Sequence, residues 1–236
     1  CASSCDAAQS WFTYLNVAQD QNKIASIAYF EGKYWVTSYY YGAPNHQNNL
    51  NYCASGCNSA SNWNILTVQS TYYYNQGHFI HYGARVYSDG NYLYYSYMQG
   101  GASKVNVCRQ NCQNLASWQT TVLGNHMSQS SWIGGDFETW DNATWVLMPD
   151  DMTNDKKLTL GKCAADCTSS SSWTVTTIPV PASVDVTRLG LSATRSGLVI
   201  SAMSEGRPYL ITCGSGCTES GSWVGSVSYT HLTLPT

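Results

Sequence analysis

The stretch Lys104-Val105-Asn106-Val107-Cys108-Arg109-Gln110-Asn111-Cys112, closed six residues later by Trp118, decides the fold. Its first half alternates like a strand, and its second half reads as a turn pinned by two cysteines. The same spacing, a cysteine pair four apart and a tryptophan six further on, occurs five times. The copies are Cys1/Cys5/Trp11, Cys53/Cys57/Trp63, Cys108/Cys112/Trp118, Cys163/Cys167/Trp173 and Cys213/Cys217/Trp223, and they use all 10 cysteines of the chain. First cysteines of successive copies lie 52, 55, 55 and 50 residues apart. A period of this size marks a repeat architecture.

Outward from the cysteine turn, one unit resolves into four short runs separated by turn residues. In the second complete unit these are Phe79–Tyr87, Tyr92–Met98, Lys104–Cys108 and Trp118–Leu123, with Ser88-Asp89-Gly90-Asn91 and Gly100-Gly101 between them. The first unit has Ile24–Phe30, Tyr34–Tyr41, Leu50–Cys53 and Trp63–Val68. The third has Trp132–Thr139, Thr144–Met148, Lys157–Cys163 and Trp173–Ile178; the fourth has Val186–Ala193, Leu198–Met203, Arg207–Cys213 and Trp223 onward. Aromatic and β-branched runs between Gly, Asn, Asp and Ser turns read as antiparallel strands, and no segment shows helical periodicity. Four strands in about 50 residues predict an all-β chain, a β-propeller of four-stranded antiparallel blades. A stacked β-solenoid is the alternative, but its repeats are shorter and need fewer strands.

The blade units are expected at about 1–17, 24–68, 79–123, 131–178 and 186–226. That makes four complete blades and the end of a fifth, a fragment of a larger ring. Residues 227–236 resemble the in-frame translation of a transposase sequencing adaptor and are expected to be a non-native tail. Cys1 fits the repeat with Cys5 as partner; lipidation of an N-terminal cysteine is the competing reading.

Composition bounds the function. Charged residues make up 11%, the formal charge is −3 and no Lys/Arg run exists, which argues against nucleic acid. No apolar stretch approaches the ~18 residues a membrane helix needs, so membrane insertion is not expected. Ten cysteines in local pairs imply disulfides Cys1–Cys5, Cys53–Cys57, Cys108–Cys112, Cys163–Cys167 and Cys213–Cys217, and a secreted or cell-surface location. Zinc is the competing reading, but one pair supplies only half of a structural zinc ligand set.

With Leu50-Asn51-Tyr52-Cys53-Ala54-Ser55-Gly56-Cys57 through Trp63, and Gly206-Arg207-Pro208-Tyr209-Leu210-Ile211-Thr212-Cys213 through Trp223, the unit resembles the tandem repeat of secreted bacterial proteins grouped with sialidase-like, or BNR-type, β-propellers. The resemblance covers residues 1 to about 225. It implies a propeller and an exported location, and little about activity. True sialidases are similar in fold and place three arginines on the substrate carboxylate, with a Tyr–Glu pair and an Asp acid. This chain offers Arg85, Arg109, Arg188, Arg195 and Arg207. Only Arg85 and Arg188 fall on first strands, at non-matching positions. Thr139-Trp140-Asp141-Asn142-Ala143-Thr144-Trp145 is a degenerate echo of the family's Asp box, read here as an Asx-type turn, and Asn142-Ala143-Thr144 is also a glycosylation sequon.

The acidic candidates are Asp136 and Glu138, whose i, i+2 spacing puts both on one face of a strand. They are either a catalytic carboxylate pair at the channel or a solvated inner face. Asp150, Asp151 and Asp155 share a loop that suits calcium through oxygen ligands, against a plain polar loop; no other cofactor is suggested. Candidate ligand contacts are Tyr39, Tyr40, Tyr41, Tyr72, Tyr73 and Tyr74, which suit stacking on sugars or peptides or, equally, packing. The expected function is a binding or adhesion scaffold for a glycan or protein ligand, without catalysis. A sialidase-like glycoside hydrolase with part of its active site in further blades, and a structural spacer, are the alternatives.

Overall fold

The computed structural model describes residues 23–42, 45–71, 84–99, 102–125, 135–150 and 157–227. They form four separate four-stranded antiparallel sheets, each built from four strands consecutive in sequence. Blade 1 comprises β1 (Lys23–Phe30), β2 (Lys33–Gly42), β3 (Asn45–Cys53) and β4 (Asn64–Thr71). Blade 2 comprises β5 (Arg85–Ser88), β6 (Leu93–Gln99), β7 (Ala102–Cys108) and β8 (Trp118–Asn125). Blade 3 comprises β9 (Asp136–Trp140), β10 (Ala143–Asp150), β11 (Lys157–Cys163) and β12 (Trp173–Pro179). Blade 4 comprises β13 (Val184–Thr194), β14 (Gly197–Ser204), β15 (Arg207–Cys213) and β16 (Val224–Val227). The fold is all-β, with four propeller blades as the repeat predicts. The helical residues among those described are three-residue 3-10 turns just before each repeat tryptophan.

Neighbouring sheets pack face to face through apolar residues that alternate along each strand. Tyr95 lies in a core with Phe30, Trp35 and Leu50 of blade 1, whereas the adjacent Tyr94 lies in a core with Phe137, Val146 and Met148 of blade 3. The period of two along a strand sends successive side chains to opposite faces, so blade 2 buries both. Leu147, Leu158 and Leu160 of blade 3 meet Leu191, Ile200 and Ile211 of blade 4 in the same way. The first strands of blades 1 and 2, and those of blades 3 and 4, approach each other while the fourth strands diverge, which places the first strands innermost.

The repeated motif closes one local unit. Four disulfides, Cys53–Cys57, Cys108–Cys112, Cys163–Cys167 and Cys213–Cys217, hold Cα atoms 5.6–5.7 Å apart. Cys1 and Cys5 lie outside the described residues. Each repeat indole N–H among the described residues donates to the carbonyl of the second cysteine of its own pair: Trp63 to Cys57 at 3.0 Å, Trp118 to Cys112 at 2.8 Å, Trp173 to Cys167 at 3.0 Å and Trp223 to Cys217 at 3.0 Å. That bond is why the tryptophan stands six residues after the cysteine: a buried indole N–H needs an acceptor, and the turn carbonyl supplies it. The ring also reaches the preceding blade. Trp118 lies edge-on to Trp35 at 6.4 Å, and Trp173 edge-on to Tyr94 at 6.4 Å.

The first turn of each blade and its disulfide turn share one end of the sheet. The turns between second and third strands, and the connections to the next blade, leave from the other end. Glu31-Gly32 (φ 49 and 71) and Asp141-Asn142 (φ 53 and 55) make two-residue turns with left-handed backbone at both positions, the geometry that matches strand twist in a tight hairpin. The Asp141 turn is therefore a hairpin of this type and not the expected Asx turn. Asx bonding occurs instead at Asp89, whose Oδ1 accepts the Asn91 and Tyr92 N–H groups at 2.8 and 2.9 Å.

Candidate functional site

The inner strands carry the residues that chemistry would need. Asp136 and Glu138 lie on β9 and point to one side, as their spacing requires. The structure gives them a partner that the sequence does not reveal. Asp136 Oδ2 accepts the Leu191 N–H at 2.8 Å and Glu138 Oε2 accepts the Ala193 N–H at 3.1 Å, both on β13 of the next blade. Their other oxygens accept the N–H groups of Phe137 at 3.0 Å and Thr139 at 2.9 Å. β13 is the inner edge of its sheet, so every second N–H along it points away from β14 and needs an outside acceptor. Two carboxylates two residues apart on β9 match two amides two residues apart on β13. The pair thus latches blade 3 to blade 4, with all four oxygens engaged.

The equivalent joint between blades 1 and 2 uses a hydroxyl: Ser26 Oγ accepts the Val86 N–H of β5 at 2.7 Å. Between blades 2 and 3 the Tyr87 and Thr139 hydroxyls lie 2.6 Å apart, and Tyr87 stacks on Phe137 at 5.5 Å. Burial, first of all, raises the Tyr87 phenol above its ordinary value.

Arg85 lies on β5 opposite Ser96 and is half-buried. Arg188 falls in β13, within the irregular pairing between Asp185 and Gly190, and its side chain is outside those described. Tyr39, Tyr40 and Tyr41 end β2, paired with Asn48, Gln47 and His46, at the end of the blade opposite the disulfide turns. Their side chains, and all of Tyr72, Tyr73 and Tyr74, lie outside the described residues. So do Asp151 and Asp155 of the expected calcium loop; Asp150 ends β10 opposite Lys157.

At the disulfide-turn end, a cleft of about 300 Å³ opens between blades 2 and 3. Asp89, Tyr92, Thr139, Asn142, Thr144 and Cys167 line it. Asp89 is its most heavily bonded residue: besides its two Asx bonds, Oδ2 accepts the Tyr94 hydroxyl at 2.6 Å and the Thr144 hydroxyl at 2.7 Å. Arg109 lies over the Tyr92 ring at 6.0 Å. Asp166, next to Cys167, is held below the usual carboxylate range, chiefly by the Thr168 hydroxyl and N–H it accepts. Nothing in the sequence reading singled out Asp89 or this cleft.

No protein-family model matches the chain, and no curated protein matches it in sequence. Among solved structures it is similar to the α-L-arabinofuranosidase PaAbf62A from Podospora anserina in complex with cellotriose, at 13% identity and a TM-score of 0.46 over 86% of this chain and 66% of that one. It is also similar to the catalytic domain of the Coprinopsis cinerea GH62 α-L-arabinofuranosidase, at 12% identity and a TM-score of 0.46 over 85% of this chain and 67% of that one. A thermostable family-43 glycoside hydrolase gives 11% identity and a TM-score of 0.45 over 91% and 75%. The chain spans about two thirds of the length of the first two.

Proposed function

We propose that this chain is an extracellular β-propeller repeat that binds a glycan or a protein partner and performs no chemistry of its own. The observation that carries the reading is the state of the inner carboxylates. A general acid or nucleophile must present an oxygen to a substrate, and bonds to backbone N–H groups compete for that oxygen. Asp136 and Glu138 spend theirs on backbone N–H groups, two of them on the neighbouring blade. Local disulfide pairing supports an oxidising compartment. The binding end in this proposal is the one opposite the disulfide turns, where Tyr39, Tyr40 and Tyr41 fall near the end of β2; tyrosine is a residue type that suits stacking on a sugar or a peptide.

The test pairs turnover with binding on one protein sample. Fluorogenic sialosides and arabinofuranosides are offered as substrates, and an immobilised glycan panel as ligands. Saturable binding without hydrolysis is the expected result. Hydrolysis that disappears in Asp136→Asn or Glu138→Gln overturns it in favour of a glycoside hydrolase, and silence in both assays favours a structural spacer.

A further inference from the structure

Blade 1 packs one face on blade 2 and turns the other away from it. Strand pairing sets Ile27, Val36, Asn51 and Ile65 in one row across that second face. The same row begins with Val86, Phe137 and Leu191 in blades 2, 3 and 4, each buried by the preceding blade. In blade 1 only the middle of the face is buried. Ile27 and Tyr29 on β1 are 64% and 60% exposed, Ile65 on β4 is 53% exposed, and Tyr34 at the disulfide-turn end of β2 is 47% exposed. Val36 on β2 is 5% exposed, and Asn49 and Asn51 on β3 are 3% and 0% exposed. The described elements that pack on blade 1 belong to blade 2 and lie on its other face, with Trp35 and Leu50. Zero exposure in the middle of a face requires cover. Cover that spans two strands, about 5 Å apart, and leaves both flanks open has the width of one strand and not of a blade.

The chain carries such a strand just before β1. Trp11-Phe12-Thr13-Tyr14-Leu15-Asn16-Val17 follows the first cysteine pair as the fourth strand follows it in each blade. Five residues join Val17 to Lys23, and four join β12 to β13 across the joint of blades 3 and 4. β1 starts opposite Tyr39, at the end away from the disulfide turn and beside the Ser38–Asn49 pair. Residues 72–83 do not suit this role, because they lead from β4 to blade 2 on the other face. At a complete joint the fourth strand packs on the third strand of the next blade, as β8 does on β11, and Asn49 and Asn51 lie on a third strand. Fourth-strand residues that reach the next blade stand at odd distances from their tryptophan: Leu66 at three, Leu123 and Ile178 at five. Phe12 and Tyr14 stand at one and three from Trp11.

The same face lacks hydrogen-bond donors. Asn49 Oδ1 and Asn51 Oδ1 are buried and find none among the described residues. In blade 2 the corresponding Asn106 Oδ1 accepts the Thr120 hydroxyl at 2.8 Å, but blade 1 has Ile65 at the place of Thr120. A buried acceptor is costly until a donor reaches it. Thr176, three residues after Trp173, spans a joint with its hydroxyl, and Tyr14 holds the same place after Trp11.

We propose that residues 11–17 dock on blade 1 as a single strand over β2 and β3, with Phe12 and Tyr14 against Val36 and the Tyr14 hydroxyl donating to Asn51 Oδ1. A strand laid face-down keeps both edges open to water, so its backbone groups keep their partners. A second copy of the chain is the competing occupant. A four-stranded face offers about 500 Å², short of the about 800 Å² per partner of a stable interface. A short tether instead holds the chain's own segment at an effective concentration on the order of millimolar.

The test is NMR on the full chain with labelled methyl groups and aromatic rings. Nuclear Overhauser effects from the Phe12 and Tyr14 rings to the Val36 methyls are expected, and they should persist on dilution. Amide exchange at Val36 and Asn51 should rise about tenfold or more in Phe12→Ser, the effect of losing one buried aromatic ring, while Ile200 and Ile211 of blade 4 stay unchanged. Tyr14→Phe keeps the ring and should raise exchange at Asn51 by a smaller factor. Ring-to-methyl effects that arise only between differently labelled chains, or that vanish on dilution, assign the face to a second copy and overturn the proposal. So do their absence at Val36 and an exchange rate in Phe12→Ser equal to the wild type.

Discussion

Replacing Asp136 by alanine separates a latch from a catalytic acid. In the structure its carboxylate accepts the Leu191 N–H at 2.8 Å from an edge strand of the next blade. Removing it takes away the acceptor that this N–H has in the joint. Hydrogen bonds to charged groups contribute about 1.5–3 kcal/mol, and a half-buried site belongs in the lower half of that range, so about 2 kcal/mol is expected. For a domain of this size the loss lowers the melting temperature by about 4–8 °C. Asparagine keeps one acceptor oxygen but loses the charge, so Asp136→Asn should lose about half as much. The loss should also be local. Amide exchange at Leu191 and Ala193 should accelerate more than at Val146 or Leu160 in the middle of blade 3, because the inner edge of blade 4 opens first. Glu138→Ala alone should behave alike, and the double variant should cost less than the sum, since both carboxylates hold one strand. The assays are thermal unfolding and native-state hydrogen exchange. A melting temperature unchanged in Asp136→Ala, together with unchanged exchange at Leu191, would refute the latch and return the pair to the catalytic candidates.

Three further outcomes follow from the same contacts. Trp118→Phe removes the indole N–H bond to Cys112 and part of a buried ring, so it should cost about 3 kcal/mol in denaturant unfolding, and Trp63→Phe, whose ring is half-buried, visibly less. Reducing the disulfides opens loops of five residues, worth about 2 kcal/mol each on the chain-entropy estimate, so a reductant should lower the melting temperature while far-UV circular dichroism below the transition stays β. Burial raises the phenols of Tyr94, Tyr95 and Tyr97 above their ordinary value of 10.0. With a folded value above the unfolded one, stability is fully present below pH about 10 and is lost above it, by about 1.4 kcal/mol per pH unit for each phenol that ionises only on unfolding. Tyrosinate absorbance should show fewer groups titrating near pH 10 in the native than in the denatured protein, and an equal number would contradict the buried placement.

The period of the cysteine–tryptophan motif made the blades legible, because both halves of the motif act within one blade and depend on sequence spacing alone. Lys157–Cys163 and Arg207–Cys213 have the bounds their alternation predicts. β3 begins at Asn45, five residues before the expected Leu50. Asn45-His46-Gln47-Asn48-Asn49 has poor strand propensity, but it pairs with Ser38–Gly42 on one side and, from His46, with Thr67–Thr71 on the other, and the ladder overrides propensity. Contacts between blades were not legible. That Asp136 and Glu138 share a face follows from their spacing; that the face meets amides 55 residues away does not. Val86, Phe137 and Leu191 are buried against the preceding blade; Ile27 holds the same register in blade 1, which has no preceding blade among the described residues, and is 64% exposed.

The interior of each blade is built one way and the joints between blades in several. Within a blade, the disulfide, the indole bond and the antiparallel register recur with little change. Across the joints, the N–H groups of an inner edge strand are met by Ser26 in one place and by Asp136 and Glu138 in another, and a disulfide turn is met by Glu31 or by the Thr176 hydroxyl on the Thr218 carbonyl. The physical requirement is the same each time: an unpaired backbone group at an interface must find a partner, and any side chain that reaches it will serve. A charged residue in this repeat is therefore weighed first against the backbone of the next blade. By that standard Asp136 and Glu138 are first the partners of the Leu191 and Ala193 N–H groups.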